Sequence, residues 1–255
     1  MFRRRLVFIS VIFLSSNLFA KEVIHITAYS AVLMNIWNKK VIYSKNPHVK
    51  LAPASTTKIM TALVVLKKFS LDKKVVVSRS ATFMPPSKVD IKKGEVYTTE
   101  DMLKALLLNS GNDASVALAE SVAGTEKDFV KMMNEVARKI GCRNTNFKTS
   151  SGLPAKGQYS TAYDLALIMR EAVKDKRLLD ILKIKTADIT ELNSGRRIKL
   201  RNHNKSLWKD TSYLMLGKTG YTIRAKQCFL GYINYDKRHN LIVVILKGKK
   251  NYGLT

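Results

Sequence analysis

Strand-like alternation occupies the two ends of this 255-residue chain while helical periodicity fills its middle, so the terminal strands have to meet in one sheet. Residues 25–34 and 40–44 read as a first hairpin. A helical pattern then runs through Ile59, Met60, Leu63, Val64 and Leu66, with Pro53 and Ser55 where a helix start would place them. This helix is expected to lie behind the hairpin. A helical lobe follows over about residues 99–174. Strand signals return at 186–192, 197–201 and around Lys218, then at 227–233 and 241–246, the last two joined by the polar turn 236–240. The pattern predicts an α/β sandwich with a site at the seam between sheet and helical lobe. A 46% hydrophobic content supports a substantial core, and no linker, repeat or low-complexity run divides the chain, so one bilobed domain is expected.

Three short motifs punctuate this pattern. In Ser55-Thr56-Thr57-Lys58 the serine and lysine share one face of a first helical turn. The positive end of the helix dipole disfavours a cation there and would lower the pKa of Lys58, leaving some neutral amine beside the Ser55 hydroxyl. Taken alone, the motif reads more simply as an N-cap serine followed by a surface lysine. Further on, Thr99 is the expected N-cap of a helix with Glu100 and Asp101 in its first turn and Met102, Leu103, Leu106 and Leu107 on one face. Asn109-Ser110-Gly111-Asn112 interrupts it before 113–122 resume. Alone this is a helix–helix turn; beside a Ser-x-x-Lys helix it offers a second hydroxyl and an amide. The third motif, Lys218-Thr219-Gly220, sits in a strand, where Gly220 would let a ligand backbone approach and Lys218 and Thr219 would present a charge and a hydroxyl to a carboxylate. Its plain reading is a basic edge strand with a turn glycine. Together the motifs supply a nucleophile, two candidate proton carriers, an amide and a cationic anchor, the inventory of an active-site serine acyl-transfer enzyme.

Further segments carry a family resemblance. Pro53 to Ala62, Ser110-Gly111-Asn112-Asp113-Ala114, Ser151-Gly152-Leu153-Pro154, Tyr159-Ser160-Thr161-Ala162, Asn202-His203-Asn204 and Lys218-Thr219-Gly220-Tyr221-Thr222 occur in this order. The chain thereby resembles the low-molecular-mass penicillin-binding proteins, D-alanyl-D-alanine carboxypeptidases of the serine penicillin-recognising superfamily. The resemblance implies an antiparallel sheet flanked by helices plus a mainly helical lobe, of β-lactamase/transpeptidase type. It implies a serine-type carboxypeptidase that trims peptidoglycan pentapeptides through an acyl-enzyme on Ser55, with Lys58 as general base and Ser110 in the proton network. Asn112, Lys218, Thr219, Gly220 and Tyr221 would bind substrate, and the Ser55 and Tyr221 amides would form an oxyanion hole. β-Lactams would be inhibitors, slowly turned over, since no deacylating glutamate of the class A β-lactamase type is evident. The alternatives are a D,D-endopeptidase or a catalytically weak, basic peptidoglycan-binding protein on the same scaffold. Two departures stand out: Ala225-Lys226-Gln227-Cys228 where relatives carry Ala-Gly and an aromatic residue, and His203 where some carry arginine. Relatives also commonly continue past the last strand into a closing helix and a β-rich domain, so the chain is either a minimal form or lacks its C-terminus.

Other classes fit less well. The histidines His25, His48, His203 and His239 show no metal-ligand spacing, so neither a metal nor another cofactor is expected. No Gly-x-Ser-x-Gly elbow suggests a Ser-His-Asp hydrolase. Arg3, Arg4 and Arg5, the apolar run 6–14 and a polar stretch ending at Ala20 read as a secretory signal. Residues 1–20 are thus expected to be a signal peptide, with 21–255 the exported catalytic domain, periplasmic or wall-associated. Leu18 at the minus-three position is larger than a cleavage site prefers, which leaves an N-terminal anchor as the alternative. Cys142 and Cys228 are expected to be buried free thiols rather than a disulfide. With 45 basic against 19 acidic residues the formal charge is +26. In an exported chain without nucleic-acid motifs this surplus points to an anionic envelope surface or to a general lysine bias, and not to nucleic acid. Lys218, if exposed in the cleft, would be removable with little effect on stability.

Overall fold

The computed structural model describes residues 26–210, 214–234 and 240–249. The expected signal segment, His25, His239 and most of the turn at 236–240 lie outside the described residues. β1 (Ser30–Asn35) and β2 (Val41–Lys45) form the first hairpin. A 3-10 turn at Ala54–Thr57 leads into α1 (Lys58–Lys68). Short β3 (Lys74–Val76) and β4 (Val96–Thr98) pair around α2 (Arg79–Thr82). The helical lobe contains α3 (Thr99–Leu107), α4 (Asn112–Ala123), α5 (Glu126–Lys139), α6 (Ala162–Ala172) and α7 (Lys176–Lys183). β5 (Thr186–Thr190) and β6 (Arg197–Arg201) make a separate two-stranded ribbon, and β7 (Leu214–Thr222), β8 (Lys226–Asn234) and β9 (Asn240–Gly248) complete the main sheet.

That sheet runs β2-β1-β9-β8-β7, antiparallel throughout. β1 pairs with β9 from Ser30 opposite Leu246 to Asn35 opposite Leu241, which joins the chain's two ends as the sequence pattern requires. The helix lying on the sheet is α6, against β1, β8 and β9. This corrects the expectation that the Ser55 helix backs the hairpin. α1 is apolar on every side, with each residue from Ile59 to Leu66 buried, so it belongs in the middle of the lobe, in contact with α3, α4, α5, α6 and α7.

Three helices begin with the same device. Thr98, Thr125 and Thr161 accept hydrogen bonds from the amides of Asp101, Asp128 and Asp164, each cap contributing about 1 kcal/mol. The cap of α3 is therefore Thr98, one residue before the expected Thr99. Thr99 lies inside the first turn, where its hydroxyl donates to the Lys73 carbonyl at 2.8 Å. Cys142 and Cys228 are both buried and unbridged, as anticipated, and burial pushes the Cys228 thiol up to about 11.

Candidate active site

Ser55 is not an N-cap. It stands in the 3-10 turn ahead of α1, and Lys58 is the first residue of the α-helix proper. The turn is held in an uncomfortable shape: Ala54 has φ +48, a region that costs an L-residue about 1–2 kcal/mol. Neighbours supply the restraint. Thr56 Oγ1 donates to the Pro53 carbonyl at 2.6 Å, and Gly152 presses its α-carbon against the Ala54 carbonyl so closely that a Cβ there would lie 1.9 Å from the oxygen. The loop bearing that glycine is itself anchored, since Glu126 accepts from the Ser150 amide and hydroxyl at 2.8 and 2.7 Å and Thr61 Oγ1 donates to the Ser150 carbonyl at 2.5 Å.

Lys58 is fully buried (0% exposed), with Nζ 3.2 Å from Ser55 Oγ, 2.8 Å from Asn112 Oδ1 and 2.9 Å from the Ser151 carbonyl. A neutral amine has two N–H donors and one lone pair. The two carbonyl oxygens can only accept, so they use both N–H groups, and the lone pair remains for the one contact able to donate, the Ser55 hydroxyl. Burial, reinforced by the charge of Lys218, holds the Lys58 pKa well below the ordinary lysine value, while Asp113 opposes the shift. The expected depression is present, but its main cause is desolvation and not the helix dipole.

α3 and α4 place the second motif. Ser110, at φ +63, turns the chain between them and faces the cleft, almost fully buried. Asn112 opens α4; its Nδ2 donates to the Pro85 carbonyl at 3.0 Å, which directs Oδ1 toward Lys58. Asp113 accepts from the amides of Val89 and Ala114 at 2.9 and 2.8 Å. Burial raises its pKa against those hydrogen bonds.

β7 is an edge strand of the main sheet and runs past the Ser55 turn. Gly220 is required by that approach: a Cβ would meet Ser55 N at 2.9 Å and Ala54 Cβ at 3.1 Å. The backbone that comes close is thus the chain's own, where a ligand's was expected. Thr219, Gly220 and Tyr221 line a cleft of about 280 Å³ together with Ser55, Ser110 and His203. Gln227, part of the departure after the third motif, also lines it, as does Ser87, which belongs to no motif and carries no sequence signal.

Lys218 is not exposed in the cleft. It is 1% exposed, its Nζ donates to the Thr219 carbonyl at 3.0 Å, and burial lowers its pKa from 10.5 to about 7. The condition for its cheap removal therefore fails, and the sign reverses. Between pH 7 and 10.5 the unfolded chain binds more protons at this residue than the folded one, so the penalty is greatest below pH 7 and fades as pH rises to 10.5. Lys218→Met should accordingly stabilise the fold at pH 7 by a few kcal/mol and flatten the rise of stability with pH, at about 1.4 kcal/mol per pH unit of pKa displacement. Urea melts of both proteins at neutral and alkaline pH measure this; a less stable Lys218→Met variant would contradict it.

A five-stranded antiparallel sheet, a helical lobe and a Ser-x-x-Lys turn at their seam define the class of penicillin-binding and transpeptidase folds. The chain belongs to the D-alanyl-D-alanine carboxypeptidase family, whose model matches residues 17–250. It is 40% identical over 206 residues to D-alanyl-D-alanine carboxypeptidase DacF of Bacillus subtilis, covering 79% of this chain and 52% of that protein. It is 33% identical over 246 residues to DacD of Salmonella typhimurium, covering 92% and 62%. Penicillin binding protein 6B from Escherichia coli superimposes with a TM-score of 0.82 at 32% identity, over 92% of this chain and 76% of that one. The chain thus spans roughly half to three-fifths of the length of these curated relatives.

Proposed function

We propose that this protein is a serine-type D-Ala-D-Ala carboxypeptidase acting on peptidoglycan stem peptides. The observation that carries the reading is the coordination of Lys58: two carbonyl acceptors and a depressed pKa leave a lone pair for the Ser55 hydroxyl at 3.2 Å. Ser55 Oγ attacks the carbonyl carbon of the penultimate D-alanine as Lys58 takes the hydroxyl proton. The amides of Ser55 and Tyr221 receive the developing oxyanion, a contribution of about a hundredfold or more in rate. The C–N bond then breaks and the proton passes to the departing D-alanine amine, by way of Lys58 and Ser110. Water cleaves the acyl ester and restores Ser55. Asn112 holds Lys58 in place; Thr219 and protonated Lys218 attract the substrate's terminal carboxylate. Residues 21–255 form the catalytic domain in this reading, and residues 1–20 direct its export. Among the described residues no helix is long and apolar enough to cross a membrane.

A β-lactam sets a strained amide and a carboxylate where the substrate's terminus would lie. Incubation with labelled penicillin should give one adduct on Ser55 by mass spectrometry, abolished in Ser55→Ala. D-Alanine should be released from a pentapeptide; release from cross-linked dimers alone would make the activity endopeptidase. A folded wild-type protein that fails to label would sink the enzyme reading and leave a basic wall-binding scaffold.

A further inference from the structure

Two adjoining hollows, of about 620 and 500 Å³, are larger than the Ser55 cleft and contain none of its residues. They share Lys39, Ile140 and Leu167, so they form one trough. It lies at the far end of α1, where Lys67 and Lys68 stand roughly 15 Å along the helix axis from Lys58. Met132, Val136 and Ile140 give it an apolar floor that is half-buried and does not protrude.

The walls of the larger hollow carry Lys39, Lys67, Lys68, Lys139, Arg170 and Lys174, against one carboxylate, Glu171. Glu171 already pairs with Lys174 at 2.6 Å and Lys67 at 3.5 Å. Arg170 donates to the carbonyls of Ile36 and Trp37 at 2.6 and 3.4 Å, which orient the guanidinium without neutralising it. Among the described residues, Lys39, Lys68 and Lys139 have no carboxylate at ion-pair distance. Helix dipoles account for part of this charge, since α1, α5 and α6 all end here; at about −0.5 each they total roughly −1.5, well short of the surplus of five. Lys39 also sits at φ +60, where asparagine or glycine is more comfortable, at the junction of the two hollows.

The second hollow adds Arg143, one carboxylate, Asp164, which is buried and accepts from the Asn144 amide and the Thr145 hydroxyl at 2.7 Å each, and an aromatic pair, His48 and Tyr163, with ring centroids 5.0 Å apart. Aromatic faces suit the apolar faces of sugar rings, and separated cations suit anionic substituents along a chain. Two hollows joined at Lys39, Ile140 and Leu167 offer a strand of polymer a continuous path past the aromatic pair, a path that a flat membrane surface would not use. We propose that the trough from Lys174 past Lys39 to His48 binds an anionic polysaccharide, a glycan bearing carboxylate or phosphate groups, and so tethers the protein to such a matrix with the Ser55 cleft free.

The test is binding to polygalacturonate at about 150 mM salt, where screening over about 8 Å suppresses long-range attraction. Lys39→Glu/Lys68→Glu/Lys139→Glu should weaken binding by about tenfold or more, and Lys93→Glu/Lys127→Glu/Lys199→Glu, of equal charge change outside the trough, by less than about twofold. His48→Ala should weaken polygalacturonate binding and leave that of polyglutamate, a polyanion without sugars, unchanged. Penicillin labelling of Ser55 should be the same in all variants, so this proposal and the catalytic one fail separately. Equal losses in the two triple variants would overturn the trough as the site. Tighter binding to vesicles containing phosphatidylglycerol would overturn the polymer in favour of a membrane surface, and polyglutamate binding as tight as polygalacturonate would overturn the glycan.

Discussion

Lys58→Arg should lower the rate of Ser55 acylation by about 10²–10⁴-fold, the range a positioned general base contributes. Arginine does not deprotonate in proteins, so no lone pair is available opposite the Ser55 hydroxyl. The site was built around the neutral amine: its two carbonyl acceptors and one hydroxyl match an NH₂ group and its lone pair. The guanidinium is also larger than the ammonium in a position with no exposed surface, so Lys58→Ala is the companion variant. It should be equally slow and should recover part of the rate when a small primary amine is added. Stopped-flow acylation by a chromogenic β-lactam, with thermal melts for both variants, measures these outcomes. Near-normal acylation by folded Lys58→Arg would remove Lys58 as the base.

Gly152→Ala should be the most damaging conservative change in the molecule, destabilising it by about 3 kcal/mol and slowing acylation as well. Two costs combine: φ +84 disfavours any L-residue by about 1–2 kcal/mol, and overpacking adds about 1–3 kcal/mol. The new Cβ would have to displace the Ala54 carbonyl, which lies one residue before the nucleophile. A displacement of about 1 Å at a reacting atom can cost about a hundredfold in rate. Gly195→Ala is the control, because Gly195 has a similar φ of +72 with nothing within 4 Å of its notional Cβ. It should show the backbone cost alone and leave acylation intact. Urea denaturation and acylation rates of the two variants separate strain from collision; equal behaviour would mean the Ala54 contact carries no energy.

Local signals are legible where chemistry and periodicity coincide. The strands β5 to β9 and the break between α3 and α4 follow from alternation and from the non-helical Ser110-Gly111 pair. β3, α2, β4 and α7 lie outside the expected elements. The two strands have three residues each, too few for a period to register, and α7 lies just past the residue where the helical lobe was expected to end. The one-residue error at the α3 cap arose because Thr98 and Thr99 are chemically equivalent caps, and only the Asp101 amide and the Lys73 carbonyl distinguish them.

The candidate site divides along the same line. Ser55 and Lys58 are three residues apart, so their meeting is a local property of one turn and can be read from the chain. Asn112 and the Ser151 carbonyl reach the same amine from 54 and 93 residues away. Gly152 and Gly220 are needed because distant backbone passes at contact distance, and no local pattern states that. The largest difference concerns Lys218, which as a basic residue in a strand reads as a solvated charge and in the folded protein is a buried one with its pKa near 7. Residue type and spacing thus determined which groups could react and which segments could be helix or strand, since those depend on covalent identity and short-range sterics. Desolvation, the shifted pKa values, the restrained Ser55 turn and the trough at the end of α1 were decided only by tertiary packing, because each depends on how far distant parts of the chain exclude water from one another.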